Sequence, residues 1–563
     1  MKKLTPVFLI SLVIALAFIL WGVIAPDNVE MVTGEIQGFI STQLGWFYLL
    51  AASGFLLFAL FLIVSPYGKI KLGKPDEEPE YNYLTWFSFL FTAGMGIGLV
   101  FWGVAEPLYH FYGPPNQEPE SNEAAAAALR YSFFHWGLHP WAIYTVVALA
   151  LAYFKFRHDA PGVLSAAFKP LLGDRINGGI GTTINVIVVF ATIFGVATSL
   201  GFGAAQMTAG LAHLFEPIVN DTFTQLMVIL GVTVLYMASS MTGINKGIRI
   251  LSKTNIFLAI GLMLFLLIVG PTVFIMNVFT QTLGSYIQNL PSMSFSLNTF
   301  TGDSAWVEDW TVFYWAWWIA WSPFVGTFIA RVSRGRTIRE FVVGVLAVPT
   351  LFGGLWFSVF GGTAIDLDIN QNGLIYDIMG EQGMEVALFS VLEQFPLGTA
   401  MSVLAVLLIM SFFITSADSA TFVLGMQTTN GSMNPPISVK AVWGIIQSSA
   451  AAVLLLSGGL AGLETALIIA ALPFTIIMIF MVISMLKALK AEKAALQQQA
   501  AEGDRTPRLK EERKKFREEK ERLLRDIEEM KKERVEMRKE REEFKKERNA
   551  YKRERERDKD KDK

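Results

Sequence analysis

The sequence predicts an all-α polytopic membrane protein with twelve transmembrane helices and a long, charged C-terminal helix. Apolar residues make up 53% of the 563 residues and charged residues only 17%, a composition typical of chains that cross a membrane repeatedly. Apolar runs of about 20 residues, enough to span a bilayer as a helix, recur down to residue 488. The remaining residues, 489–563, are dominated by charge.

Twelve apolar runs account for the membrane part. Their approximate bounds are 7–25, 46–65, 84–105, 132–154, 183–203, 224–242, 253–276, 311–332, 340–362, 397–427, 438–457 and 463–487. The first run resembles a signal peptide, but it is long for one and lacks a clear cleavage site, so we interpret it as a retained span. The chain has no cysteine, which excludes disulfides and thiolate metal sites.

Lysine and arginine are concentrated in every second loop. Short loops rich in these residues stay on the cytoplasmic side, so the pattern predicts a protein of the cell inner membrane with both termini in the cytoplasm. The intervening loops carry one basic residue, Arg130, and the loop around 363–395 is acidic. The basic residues that define the pattern are Lys2, Lys3, Lys69, Lys71, Lys74, Lys155, Arg157, Lys169, Arg175, Lys246, Arg249, Lys253, Arg331, Arg334, Arg336, Arg339 and Lys440.

Spans three and eight each contain a segment that weakens a helix. In span three, AGMGIG (93–98) has three glycines with high backbone freedom. In span eight, WSPFVG contains Pro323, which lacks an amide donor. Spans 3–7 and 8–12 then form two five-helix units of opposite topology, and paired interruptions of this kind indicate the central site of a transporter. The alternative is that the glycines only permit close helix packing.

The predicted spans divide the chain into five parts. They are two peripheral helices (1–83), a first repeat (84–276), an extracellular connection with a possible amphipathic helix (277–310), a second repeat (311–488) and a charged cytoplasmic tail (489–563). The tail holds 29 Lys and Arg against 22 Asp and Glu when counted from Lys487, a net charge of +7, whereas the rest of the chain carries −9.

Aromatic residues cluster in FYWAWWIAWSPF (313–324). Trp310, Tyr314, Trp317, Trp321 and Phe324 recur every three or four residues and form one stripe on a helix. Trp318 lies beside that stripe, and span four adds Trp136, Trp141 and Tyr144. An interfacial aromatic belt explains Trp310 and Trp315 well, but it explains Trp317, Trp318 and Trp321 poorly because they lie deep in the span.

A cage of aromatic faces binds a cation that has no hydrogen-bond donors, since attraction to the rings needs neither a proton nor a counter-charge. Quaternary ammonium is the matching ligand, with about 2 kcal/mol for each desolvated contact. If the ligand also carries a carboxylate, the open turn in span three can present amide N–H groups to it. Betaine fits both ends. The turn residues proposed to bind it are Ala93, Gly94, Met95, Gly96 and Gly98.

Two other classes of function, a membrane enzyme and a receptor or channel, are alternatives to a transporter. A membrane enzyme would need converging His, Asp or Glu residues, and His135 and His139 have no carboxylate near them in the sequence. We therefore predict no enzymatic activity. A receptor or channel is the third class, and nucleic acid is not an expected partner.

Four segments, AGMGIGLVFWGVAEP, HWGLHPWAIY, FYWAWWIAWSPFVGTFIARVSRGRTIREF and FFITSADSA, resemble the betaine/choline/carnitine transporters. The resemblance covers about residues 1–488. It implies the LeuT-like inverted-repeat fold, a homotrimer, and alternating access around an aromatic box at the membrane midplane. At the matching positions the box consists of Trp136, Trp141, Tyr144 and Trp318, with Trp317 and Trp321 lining the path inward.

The resemblance also implies sodium symport of glycine betaine, with choline, carnitine and ectoine as alternative substrates. Gly98 stands where proton-coupled choline carriers tend to have aspartate. The first sodium site would consist of Thr92, Met95, Phe412, Thr415 and Ser416, although the last two hydroxyls could instead bond to their own helix. In the second site Thr192 and Phe324 match the family, while Val196 replaces a second threonine.

Two further features carry hypotheses. Asp418 is an ionisable residue at membrane depth and therefore a functional candidate, or else a structural hydrogen-bonding residue. The tail has an apolar residue every seven positions, at Leu509, Phe516, Leu523, Met530, Met537, Phe544 and Tyr551. This pattern predicts a long helix that is either solvated or docked on anionic lipid or cytoplasmic loops. The resemblance implies that this helix serves osmotic regulation.

Overall fold

The computed structural model describes residues 4–94, 96–242, 245–505, 511 and 515–530, with isolated positions 533, 536, 537, 540, 541 and 548. The chain forms two compact units, Met1–Ala488 and Leu489–Lys563. Helices dominate both. In the described ranges the one β-bridge pairs Lys71 with Thr337, so the all-α class is confirmed.

Eighteen α-helices follow one another along the described chain. They are α1 (Pro6–Ile24), α2 (Pro26–Val64), α3 (Tyr83–Gly94), α4 (Ile97–Tyr112), α5 (Asn122–Trp136), α6 (Leu138–Ala152), α7 (Lys169–Leu172), α8 (Gly179–Leu214), α9 (Thr222–Thr242), α10 (Asn245–Val269), α11 (Thr272–Phe295), α12 (Ser304–Trp306), α13 (Phe313–Val332), α14 (Ile338–Asn370), α15 (Leu374–Gln382), α16 (Ala387–Glu393), α17 (Gly398–Gln427) and α18 (Ile437–Arg505). Two π-helical turns, Tyr153–Arg157 and Val307–Val312, follow α6 and precede α13.

Eight helices within the described ranges are long and apolar enough to cross a membrane, or nine if Lys253–Val269 and α11, bent by 111°, count as one span. A multi-pass membrane protein is therefore confirmed, whereas twelve spans and an inverted repeat stay predictions. Predicted span three is divided between two shorter helices, α3 and α4. Predicted spans eleven and twelve both lie in α18, where Gly458 and Gly459 have non-helical dihedral angles.

Helix ends differ from the predicted span ends, because hydropathy marks the apolar stretch rather than the helix. Helix α2 begins at Pro26 instead of residue 46, and α8 continues to Leu214 instead of residue 203. The possible amphipathic helix of the 277–310 connection corresponds largely to α11, which already begins at Thr272.

The predicted break in span three is confirmed. Helix α3 ends at Gly94 and α4 begins at Ile97, after Gly96 in an extended conformation (φ −161°, ψ −178°). A helix end leaves carbonyl groups without partners at its C-terminus and N–H groups without partners at its N-terminus. The break therefore brings the negative end of α3 and the positive end of α4 to the same depth.

The predicted break in span eight is wrong. Helix α13 runs without interruption through Pro323. A proline at this position deprives the carbonyl of Ile319, four residues earlier, of its usual donor. The hydroxyl of Ser322 donates to that carbonyl at 2.8 Å and replaces the missing N–H, so the carbonyl group freed by the proline has a partner within the helix.

Helix α13 lies in the middle of the bundle and contacts α6 and α8 at backbone distance. A Cβ atom on Gly326 would lie 2.8 Å from Val147 Cγ1 on α6. A Cβ atom on Gly195 of α8 would lie 3.0 Å from the carbonyl oxygen of Ala320. Only glycine permits these approaches, and they place the aromatic face of α13 against the helices that carry the other predicted site residues.

In the second unit, residues 515–530 are helical. Phe516, Leu523 and Met530, which belong to the predicted seven-residue repeat, are all exposed. Lys515 pairs with Glu511 one turn earlier at 3.4 Å. Met537, a further position of the repeat, is also exposed, whereas Leu509, Phe544 and Tyr551 lie outside the described residues.

Replacing Ser322 with alanine should destabilise the protein, since it leaves the Ile319 carbonyl without a donor. We expect S322A to lower the free energy of unfolding by about 1 kcal/mol, measured by thermal unfolding in detergent. In the P323A background the same substitution should cost much less, because an alanine at position 323 has its own N–H. An equal cost in both backgrounds would show that Ser322 does not compensate for the proline.

Candidate functional site

A cavity lies between the start of α4 and the aromatic faces of α5, α6 and α13. It brings together eight of the residues predicted to bind substrate. Its lining consists of Gly96, Gly98, Leu99, Trp136, Pro140, Trp141, Tyr144, Trp317, Trp318 and Trp321. Of the other predicted residues, Gly94 ends α3, whereas Met95 and the side chain of Ala93 lie outside the part of the chain that is described.

The aromatic rings of the cavity include one parallel pair and two pairs that meet at steep angles. The rings of Trp317 and Trp318 are parallel within 6°, with centroids 5.0 Å apart. Trp136 stands at 72° to Trp318 with centroids 4.7 Å apart, and Tyr144 stands at 81° to Trp318 at 6.1 Å. Edge-to-face contacts of this kind are favourable between aromatic rings. The cavity is therefore bounded by several fixed aromatic faces.

Gly98 admits the rings to the start of α4. A Cβ atom there would lie 2.6 Å from Cη2 of Trp317 and 3.1 Å from Cη2 of Trp136, closer than packing allows. At Gly96 the nearest ring atom would be Cη2 of Trp321 at 3.6 Å, an ordinary contact. Gly94 and Gly96 thus lie at the break between the helices, and Gly98 permits close packing of the rings. The two interpretations of this motif are therefore compatible.

Trp318 is held by the end of another helix. Its Nε1–H donates to the backbone carbonyl of His135 at 2.8 Å. Helix α5 ends one residue later, at Trp136, so this carbonyl is one of those that have no partner within the helix. The indole of α13 thus caps α5 and is oriented by it.

Behind the cavity lies Glu106, a fully buried residue of α4. Its Oε2 accepts hydrogen bonds from Nε1 of Trp136 at 2.7 Å and from the hydroxyl of Tyr314 at 2.6 Å. Its Oε1 lies 2.8 Å from Nδ1 of His135 and 3.3 Å from Nε2 of His110. These side chains form a polar cluster within the aromatic region. Three of its groups, on Glu106, His110 and His135, also lie close enough together to hold a metal ion, but their mutual hydrogen bonds account for the arrangement.

Glu106 was not predicted as a site residue from the sequence. The residue is 29 positions before His135, so a search for carboxylates near the histidines in the sequence overlooked it. The available signal was an acidic residue within an apolar span, which is rare and usually has a function or a buried partner.

The interfacial-belt interpretation is wrong for Trp315. This side chain is completely buried and stacks on His139 at 5.0 Å with an angle of 19° between the rings. Trp310 packs against His110 with centroids 4.5 Å apart. Trp317 and Trp318 are also buried, at 1% and 4% exposure, so none of these three fully enclosed rings serves a membrane interface.

Three polar atoms on the cavity residues have no partner among the described residues. They are the hydroxyl oxygen of Tyr144 and the Nε1 atoms of Trp317 and Trp321. Buried donors of this kind normally have a partner. Together with the first N–H groups of α4, they are available to a ligand with acceptor oxygens.

The residues predicted to bind sodium lie on several helices. The hydroxyl of Thr415 donates to Ser411 O at 2.9 Å and accepts from Nδ2 of Asn255 at 3.1 Å, as the alternative of bonding to its own helix requires. Phe412 is buried and Ser416 is half-buried on the same helix, α17. Met95 and the side chain of Thr92 are outside the described residues. The first sodium site therefore stays a prediction.

The second sodium site also stays a prediction. The hydroxyl of Thr192 donates to Val188 O at 2.7 Å and lies 3.3 Å from Oε1 of Gln427. Phe324 packs on Trp321 with centroids 5.4 Å apart. Asp418 is buried on α17, and its Oδ1 has no hydrogen-bond partner in the described part of the chain.

Comparison with known proteins shows extensive similarity. Residues 6–494 match the BCCT family, the betaine/carnitine/choline family of transporters. The chain is 54% identical to the glycine betaine transporter OpuD of Bacillus subtilis (strain 168), over 91% of this chain and 99% of that protein. It is 45% identical to a probable glycine betaine transporter of Desulfitobacterium hafniense (strain Y51) and 44% identical to an ectoine/hydroxyectoine transporter of Virgibacillus pantothenticus, in each case over 87% of this chain and 98% of the relative.

The hydrogen bond from Trp318 to α5 should stabilise the fold measurably. Replacing Trp318 with phenylalanine keeps a ring in the stack but removes the donor to His135 O. We expect W318F to lower the free energy of unfolding by about 1 kcal/mol more than W317F, because Nε1 of Trp317 has no partner in the described structure. Thermal unfolding of both variants measures this difference, and equal losses would mean that the cap contributes nothing.

Proposed function

This chain belongs to the betaine/carnitine/choline transporter family, and we propose that it imports glycine betaine by sodium symport. Membership makes it a membrane transporter rather than an enzyme. Two of the relatives described above are named as glycine betaine transporters and one as an ectoine/hydroxyectoine transporter. The choice of glycine betaine rests on the aromatic cavity.

The observation that carries the substrate proposal is a cavity walled by indole faces. Trp136, Trp317 and Trp318 present rings from two different helices to one space. A trimethylammonium group loses little hydration and has no donors to satisfy, so it gains about 2 kcal/mol from each desolvated ring face. A small, strongly hydrated primary amine gains less from the same walls.

The start of α4, which lines the same cavity, suits a carboxylate. Gly96 and Gly98 lie at the N-terminus of α4, where unpaired N–H groups and the positive end of the helix dipole favour an anion. The unpartnered Nε1 atoms of Trp317 and Trp321 and the hydroxyl of Tyr144 add donors. A zwitterion with a quaternary ammonium group and a carboxylate matches both the indole faces and the N-terminus of α4.

Sodium is the proposed coupling ion. The C-terminal end of α3 supplies carbonyl oxygens and the negative end of a helix dipole at the break, and transporters use such ends to coordinate sodium. Gly98, next to the break, offers no carboxylate that could carry a proton instead. The proposed ligands are those named from the family resemblance: Thr92, Met95, Phe412, Thr415 and Ser416, with Thr192 and Phe324 for a second ion.

The proposed setting is the cell inner membrane, with both termini in the cytoplasm and three copies of the chain in a homotrimer. The distribution of lysine and arginine among alternate loops supports the orientation. The trimer rests on the family resemblance.

Uptake into proteoliposomes tests the transport proposal. We expect labelled glycine betaine to accumulate when an inward sodium gradient is imposed, because the ion gradient drives the concentrative step. Vesicles without protein, and proteoliposomes with potassium in place of sodium, are the controls. Equal accumulation with potassium would exclude sodium coupling. Unlabelled choline, carnitine and ectoine compete in the same assay, and stronger competition by any of them than by unlabelled betaine would reassign the substrate.

We further propose that the charged tail makes transport responsive to osmotic stress. Basic residues in the tail bind anionic membrane lipid or neighbouring loops, and a higher salt concentration in the cytoplasm screens these contacts. The apolar residues exposed along the tail helix, such as Phe516 and Leu523, offer a second means of attachment to lipid.

Removal of the tail tests this regulation. A chain truncated at Gly503 should transport betaine at the same rate before and after an osmotic upshift, because the screened contacts are gone. A shorter truncation that removes only residues 552–563 is the control and should keep most of the activation. Uptake in anionic-lipid proteoliposomes measures both, and full activation of the longer truncation would separate the tail from regulation.

A further inference from the structure

Glu106 lies one ring behind the proposed substrate cavity, and the proposed function does not yet use it. Its carboxylate bonds to Trp136, whose ring lines the cavity, and to Tyr314, whose ring lies within 20° of parallel to that of Trp318 at 5.9 Å. The Oε2 atom of this carboxylate therefore faces one side chain that lines the aromatic wall and one that supports it.

The hydrogen bonds around Glu106 match an ionised carboxylate. An ionised carboxylate offers about four acceptor sites, and four side chains converge on this one. Trp136 Nε1 can only donate. His135 can donate from Nδ1 while its Nε2 accepts from the hydroxyl of Thr311, 3.1 Å away. A neutral histidine tautomer is therefore enough to satisfy both residues.

No lysine or arginine forms a salt bridge with Glu106 in the described ranges, where its ionic partners are His110 and His135. With both histidines neutral, the cluster keeps a net negative charge inside the membrane part of the protein. Burying such a charge without a counter-charge is costly. A cationic ligand against the face of the Trp136 ring reduces that cost.

We propose that Glu106 is a specificity-determining residue that makes the aromatic cavity select a positive charge. By accepting hydrogen bonds from Trp136 and Tyr314, it fixes these rings and makes their faces more negative, since hydrogen bonds to an ionised group polarise the donor. The ring faces then attract a cation more strongly. This inference rests on the proposed function in that the ligand is a quaternary ammonium compound.

In this arrangement, selection by shape and hydration and selection by charge are carried out by different groups. A carboxylate inside the cavity would bind any cation, including small hydrated ones. Here Glu106 bonds at the Nε1 edge of the Trp136 ring and is not among the residues that line the cavity, so only its field and the polarised ring face reach the ligand. The walls select the shape and hydration of the group, and the carboxylate behind them selects its charge.

Glutamine at position 106 provides a charge test with little change of shape. Its carbonyl oxygen can still accept from Trp136 and Tyr314. Its amide NH₂ can donate to His135 if that ring changes tautomer, with Nε2–H then donating to Thr311. The hydrogen-bonded positions of the rings are thus preserved in E106Q while the negative charge is removed.

The test compares two ligands of the same shape. Glycine betaine carries a trimethylammonium group, and 3,3-dimethylbutanoate carries a tert-butyl group without charge in its place. We expect E106Q to weaken glycine betaine binding by about ten-fold, the size of losing most of one cation–π contact. The affinity for 3,3-dimethylbutanoate, whose only charge is the carboxylate that both ligands share, should stay within about two-fold of its value for the unmodified protein. Competition against labelled betaine and quenching of tryptophan fluorescence measure both. If 3,3-dimethylbutanoate binds neither protein, glycine betaine alone decides: a loss of about ten-fold in E106Q that the control variant below does not share supports the proposal, and no loss overturns it.

Glu385→Gln serves as the matched control, because Glu385 is another buried carboxylate with an amide partner, Nδ2 of Asn220 at 2.9 Å. It lies outside the cavity lining, so E385Q should leave the preference for charge unchanged. Equal losses for both ligands in E106Q would assign the residue a purely structural role, and no loss for either would remove it from recognition. Both results overturn the proposal.

A second pair of variants keeps the question answerable if E106Q does not fold. Trp136→Phe retains a ring in the wall but cannot donate to Glu106, whereas Trp317→Phe removes an Nε1 that has no described partner. W136F should lose more of the preference for glycine betaine over 3,3-dimethylbutanoate than W317F does. Equal changes would contradict the proposal. Betaine binding by the unmodified protein tests the proposed function separately; if another quaternary ammonium compound binds instead, that cation and its tert-butyl isostere replace the pair.

Discussion

Every backbone N–H and C=O group at membrane depth must have a partner, because hydrocarbon supplies none. The architecture follows from this requirement. It explains why the described membrane unit is built from helices and why backbone carbonyls left open at two places have a side-chain donor. Ser322 supplies the donor that Pro323 lacks, and Trp318 supplies a donor to the last turn of α5. The break between α3 and α4 lies beside a cavity with unpartnered donors. A ligand with oxygen atoms could satisfy what the protein leaves open there.

Local patterns in the sequence were sufficient for much of the site. The spacing of Trp317 and Trp321 placed them on one helical stripe, and the glycine cluster marked the break in span three. Both depend on residues within a few positions of each other. The helix through Pro323 was predicted wrongly although its remedy, Ser322, is the adjacent residue. Proline weakens a helix in general, but whether the exposed carbonyl finds another donor depends on a side-chain rotamer that the sequence pattern does not contain.

Contacts between distant segments were the other source of error. Glu106 reaches His135, Trp136 and Tyr314 only because α4, α5 and α13 meet. No periodicity in the chain encodes that meeting. Trp315 illustrates the same point, since its position in the span fits a membrane interface, yet α13 is so central that this side chain packs on His139. Burial of a span within the protein changes the meaning of its aromatic residues, and burial is a property of the whole bundle.

The cap that Trp318 places on α5 has a mechanical consequence. A transporter must change shape to expose its cavity to either side, and elements shift against one another where few bonds are lost. Pulling α13 away from α5 would strip the His135 carbonyl of its donor in a dry environment, and it would also draw Tyr314 away from the carboxylate that α4 holds. These bonds therefore resist separation of the three helices, which favours movement of α4, α5 and α13 together.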